Sequence, residues 1–211
     1  MVDVIRIDAV LETGATVGFT AWPVAEPAGD GILALSGRMS PAEVGTAMAV
    51  IFGYGDIPTT PTGELHQLLD RHLADAETLL APGGLRVRDT ATGARILPGC
   101  CCGLENWREW RDVPHEKGIW LGHDPHTEVE HVAGAVRLRQ GAGPPSLPSS
   151  QHEVEIRLDD LPDLLTTVQR RLQGFLGLVR PWASEISPRA ADRLVAVLDE
   201  SFEINGSLAF G

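Results

Sequence analysis

Apolar and polar positions alternate along residues 3–11. Ile5, Ile7, Ala9 and Leu11 share one face, with Arg6 and Asp8 on the other. That period of two is the signature of a half-buried strand. Glu12-Thr13-Gly14 is a turn signal, and residues 15–24 read as a second strand, so the two predict a hairpin. After a break at 27–31, residues 32–36 predict a third short strand. The period then changes. Ser40-Pro41-Ala42-Glu43 marks a helix start. Ser40 can accept from first-turn amides, Pro41 sits where an amide needs no partner, and Glu43 completes a capping box. This helix is expected to end near Gly53-Tyr54-Gly55. Residues 64–80 place Leu65, Leu68, Leu69, His72, Leu73, Ala76, Leu79 and Leu80 on one helical stripe, stopped by Pro82-Gly83-Gly84. Residues 85–88 and 95–97 read as a hairpin about Thr92-Gly93.

The middle of the chain is less regular. Residues 98–122 are rich in Trp and Cys, with a short helix expected at 104–112. Val132, Val136 and Leu138 mark a strand. Residues 141–150 form an uncharged, turn-rich stretch that reads as a mobile loop or sub-domain junction. Residues 152–158 alternate, with Val154, Ile156 and Leu158 inward and Glu153, Glu155 and Arg157 outward. Two amphipathic helices follow. The first is capped at Asp159 or Asp160, carries Leu161, Leu164, Leu165, Val168, Leu172, Phe175, Leu176 and Val179 on one stripe, and is expected to end at Pro181. The second starts at Ser187-Pro188, with Ala191, Leu194, Val195, Leu198 and Phe202 inward. Strands and helices fall in blocks rather than in alternation. The expectation is an α+β fold: a mainly antiparallel sheet with helices on one face, the two C-terminal helices among them. The 211 residues fit a single domain over 1–211.

Charge narrows the functional classes. Seventeen Lys and Arg face 29 Asp and Glu, for a net charge of −12. A chain this acidic, with no basic cluster, is not expected to bind nucleic acid directly. No apolar run approaches a membrane span. Residues 1–11 show no basic region followed by an apolar core, so no signal peptide is expected. All the basic residues except Lys117 are Arg, a bias typical of a GC-rich genome and pointing to an actinobacterium. The three Cys are consecutive, which is no disulfide framework and suits a reducing cytoplasm.

The chemistry concentrates in Gly99-Cys100-Cys101-Cys102-Gly103-Leu104-Glu105-Asn106-Trp107-Arg108-Glu109-Trp110 and in Trp120-Leu121-Gly122-His123-Asp124-Pro125-His126. This pair of segments resembles a family of uncharacterised actinobacterial proteins. The resemblance covers these segments alone, implies no activity and gives no residue a role. Read physically, the thiols precede a helix start, where amides and the helix dipole stabilise a thiolate. Cys102 lies nearest those amides, and His123 is the imidazole best placed to partner it. Thiolates with imidazoles also suit zinc, with Cys100, Cys102, His123 and His126 as candidate ligands and His131 nearby. CxxC spacing is absent, however. Adjacent Cys side chains diverge in most backbone conformations, so a shared metal needs an unusual turn. The same residues also suit plain packing in a tight turn, since free Cys is often buried and inert.

Trp107 and Trp110 are three apart and share a helix face. With Trp120 they are either core or binding anchors. Glycine fingerprints for phosphate, HExxH and GxSxG are all missing. Two functions fit. One is an acidic cytoplasmic binding protein of the immunity type, which masks a basic toxin or nuclease. The other is a small thiol- or metal-dependent enzyme, or metal-binding protein, built on Cys100–Cys102 and His123/His126. Neither involves a membrane, and both leave a homodimer open.

Overall fold

The computed structural model describes residues 4–26, 28–54, 67, 78–115, 118–141 and 152–210. In chain order these form β1 (Ile5–Glu12), β2 (Ile32–Ala34), α1 (Pro41–Gly53), β3 (Gly83–Asp89), β4 (Arg95–Ile96), a 3-10 helix (Leu104–His115), β5 (Thr127–Val132), β6 (Ala135–Gln140), β7 (Glu153–Arg157), α2 (Leu161–Ile186) and α3 (Ala191–Phe202). The strands make two sheets, ordered β2-β1-β3-β4 and β5-β6-β7. Sheets and helices together make an α+β fold, as the blocked pattern predicts. The helix read at 64–80 does not reach its expected end: residues 78–80 are not helical, and Leu79 is buried while Leu80 is exposed. The rest of that stripe apart from Gln67, and the turn-rich stretch 142–150, lie outside the described residues. No helix among the described residues is long and apolar enough to cross a membrane.

The chain divides into two compact units. One comprises Met1–Ala9, Gly83–Val168 and Ser207–Gly211, and the other Val10–Pro82 and Gln169–Gly206.

In the first unit, β3 pairs antiparallel with β4 at Val87↔Ile96 and Arg88↔Arg95, the hairpin expected about Gly93. The Thr90 amide donates to the Val4 carbonyl at 2.7 Å, at the outer end of the β1–β3 ladder. Asp8, on the polar face of β1, is not solvated. It is buried and accepts from Arg86 at 3.3 Å and Arg88 at 2.5 Å, and a buried carboxylate needs such partners. The single strand read from Val132 to Leu138 is in fact a hairpin. Gly134 takes φ 73° in the turn and β5 pairs with β6 from Thr127↔Gln140 to Val132↔Ala135. The register sets Glu128 opposite Arg139 and Glu130 opposite Arg137, so the acidic run pairs with the arginines of the next strand. β7 alternates as expected, with Val154 and Ile156 buried and Glu153, Glu155 and Arg157 exposed. Gln140 is buried and ties Leu97 to Thr127. Its amide donates to the Leu97 carbonyl at 2.6 Å and to Thr127 Oγ1 at 3.0 Å, while its oxygen accepts from the Leu97 amide at 3.2 Å.

In the second unit, α1 opens with the expected capping box. The Ser40 amide donates to Glu43 Oε2 at 2.7 Å, and Ser40 Oγ accepts from the Glu43 amide at 3.3 Å. The strand expected at 15–24 does not form. Gly14–Thr16 is a 3-10 turn, and β1 pairs instead with β2 at Val10↔Ala34, Leu11↔Leu33 and Glu12↔Ile32. Local hydrogen bonds win there. Thr16 Oγ1 donates to the Thr13 carbonyl at 2.8 Å, and the Phe19 amide donates to the Thr16 carbonyl at 3.1 Å. Trp22 is then drawn into the core, where its Nε1 donates to the Gly45 carbonyl at 2.7 Å and its ring meets Phe19, Phe52 and Trp182 edge-on.

The second correction is Pro181. The helix does not end there, because α2 runs on to Ile186. Val179, Trp182 and Ala183 continue the buried stripe across the proline, whose ring is exposed. Packing on one face therefore outweighs the lost amide on the other. In α3, Leu194, Leu198 and Phe202 are buried as expected, with Val197 rather than Val195 beside them.

Candidate metal centre

The site lies in the first unit, where two segments meet backbone to backbone. The Gly99 amide donates to the Leu121 carbonyl at 2.8 Å, the Cys100 amide to the Asp124 carbonyl at 2.8 Å, and the His123 amide to the Cys100 carbonyl at 3.1 Å. Gly99 and Gly122 touch at this crossing, so Cys100 and His123, each following one of those glycines, start side by side. The turn closes when the Cys102 amide donates to the Gly99 carbonyl at 3.1 Å, and it is anchored to β3 when the Gly83 amide donates to the Cys102 carbonyl at 3.1 Å.

Cys101 adopts φ 65°, in the left-handed region that few non-glycine residues occupy. This is the unusual turn that adjacent thiols need. The Cys100 and Cys101 sulfurs and a ring nitrogen of His123 all lie within 4.8 Å of one another, and all three residues are exposed. A group of this composition can hold a metal ion. Zinc bonds of about 2.3 Å to sulfur and about 2.0 Å to nitrogen set the ligand atoms of one tetrahedral ion on the order of 3.5–3.8 Å apart.

The other candidate residues fall elsewhere. Cys102 is 8% exposed, and its thiol donates to the Trp120 carbonyl at 3.7 Å. It points inward beside Gly84, where an added Cβ would meet its sulfur at 3.2 Å. The donor group among the described residues joins Cys100 and Cys101 with His123, and Cys102 is not one of its members. His126 is exposed and lies outside the group. His131 is held at 2.8 Å by the Val113 carbonyl. No disulfide joins the three Cys.

The three Trp divide between core and surface. Leu104, Trp107, Trp110 and Val113 recur every third residue and are all buried. A 3-10 helix turns in three residues, so side chains at that spacing eclipse into one ridge. The expected short helix at 104–112 is therefore longer than read and of this tighter kind. Trp107, at 1% exposure, and Trp110, at 4%, are core residues. Arg108 stacks over Trp107 at 4.7 Å and donates to the Ser207 carbonyl at 3.0 Å. Trp120, by contrast, is 45% exposed. Its ring meets His123 edge-on at 4.6 Å, and its Nε1 donates to the Cys101 carbonyl at 3.4 Å. It thus touches both segments that present the donors.

Cys101 is the residue that spacing alone misses. Its role depends on a φ that the residue type disfavours. The one local hint is the pair of glycines that bracket the run, which permits a tight turn without specifying its hand. No family model matches the chain, and comparisons with curated proteins and with solved structures find no similar protein.

Proposed function

We propose that this chain binds a thiophilic metal ion, zinc foremost, through Cys100, Cys101 and His123. The observation that carries this reading is the convergence of three donor atoms within 4.8 Å at an exposed turn. Two thiols and an imidazole are the donor set that zinc and other soft or borderline ions prefer. A disulfide between the same two Cys is a poor alternative. Consecutive Cα atoms lie about 3.8 Å apart, whereas disulfides favour about 4.4–6.8 Å. The strained φ at Cys101 also fits a functional turn, since such conformations persist where surrounding contacts enforce them.

Equilibrium zinc binding tests the reading. The full chain should bind a single zinc. Cys100→Ser, Cys101→Ser and His123→Ala should each weaken binding by at least about tenfold, the smallest effect expected of losing even a supporting group. Cys102→Ser and His126→Ala should leave it intact. Because the three donors are exposed, their variants should unfold at the parent's temperature. Equal zinc retention by all five variants would overturn the proposal.

A second reading is an acidic protein that masks a basic partner. The net charge of −12 supports it, and among the three Trp proposed as anchors Trp120 is at the surface. Salt-dependent association with a basic nuclease, lost in Trp120→Ala, would favour it over the metal reading.

A further inference from the structure

The Cys100, Cys101 and His123 group supplies three donors, and among the described residues no fourth Cys, His, Asp or Glu joins them. Structural zinc sites are closed by four protein ligands, whereas three leave one position open. Charge indicates what that position is good for. Two thiolates cancel the charge of a divalent ion. Beside two thiolates a further soft donor is well accommodated at that position. The donors are also exposed on a surface turn, within reach of a donor carried by another molecule.

We infer that the metal is exchangeable cargo, passed to or from a thiol-bearing acceptor by direct ligand exchange at the open position. This rests on the metal-binding reading above. In the exchange an acceptor thiol loses its proton as its sulfur bonds to the ion. The bond to Cys100 or Cys101 breaks, and the departing sulfur takes up a proton. A second acceptor thiol repeats the step, and His123 leaves last. No group is oxidised or reduced. Trp120 keeps its contacts to the Cys101 carbonyl and the His123 ring, which hold the emptied donors in place for the next ion.

The test uses the full chain loaded with cobalt(II), whose thiolate charge-transfer absorption reports the ligands. With dithiothreitol as the acceptor, the rate of metal loss should double when its concentration doubles. The monothiol 2-mercaptoethanol should change the absorption without removing the metal, as a fourth ligand would. A loss rate independent of dithiothreitol, or an absorption that 2-mercaptoethanol does not move, would overturn ligand exchange while leaving metal binding in place. Failure to load one cobalt, or equal loading of Cys100→Ser, would overturn the metal reading and this inference with it.

Discussion

A Cβ on Gly122 would fall 2.4 Å from the carbonyl carbon of Gly99, and a Cβ on Gly99 would fall 2.9 Å from the Leu121 carbonyl oxygen. Neither position has room for a side chain. The two backbones cross because both residues are glycine, and that crossing sets Cys100 beside His123.

Gly122→Ala should therefore damage both fold and site. Gly122 has φ 91°, a conformation L residues resist, and the atoms in the way are backbone. The expected loss of stability is more than about 1 kcal/mol. Zinc affinity should fall by at least about tenfold, as it does when supporting groups around a metal are moved. Urea unfolding and zinc titration of the same variant check the two effects. Parent-like values in both would show that the crossing does not constrain the site.

Leu172 lies in the buried stripe of α2 at 0% exposure. Truncation leaves a cavity that close-packed neighbours fill only in part. Leu172→Ala should cost about 2–5 kcal/mol, read from the urea midpoint at unchanged slope. A cost below about 1 kcal/mol would argue that the stripe is loosely packed.

Pro181→Ala should stabilise the chain. Pro181 is exposed, so its ring contributes little packing, and the space around Gly177, one turn earlier, is open. Alanine restores an amide that can donate to the Gly177 carbonyl. The helix gains up to about 3 kcal/mol, less about 0.4–1 kcal/mol because proline no longer restricts the unfolded chain. Thermal unfolding should shift upward. A downward shift would mean the ring makes a contact worth more than the hydrogen bond.

Glu12, at the end of β1, has its carboxyl raised above the ordinary value by burial. The unfolded chain ionises this group first, so its contribution to stability falls as pH rises from the ordinary carboxylate range through the raised value. Glu12→Gln removes that dependence. The variant should be more stable than the parent at pH 7, and the difference should vanish below about pH 4. Urea unfolding across this range checks it, and a difference that grows toward acid would reverse the assignment.

Much of the architecture is local and was legible in the residues. The Ser40–Glu43 box, the alternation of Val154 and Ile156 and the stripe from Leu161 to Val179 each report which face of one segment is apolar. Those patterns depend only on near neighbours, and they suffice for an α+β fold. What tertiary structure decided has a different origin. Asp8 reads as a solvated position until Arg86 and Arg88, far along the chain, supply its partners. Pro181 reads as a helix end until packing of Val179 and Trp182 carries the helix past it. Cys102 reads as the thiol nearest a helix, whereas about a left-handed Cys101 the exposed residues are Cys100 and Cys101, and Cys102 lies buried against the Trp120 carbonyl. Periodicity describes a chain with repeating dihedrals. A single φ of 65°, held in place by a crossing segment some twenty residues away, has no period to read.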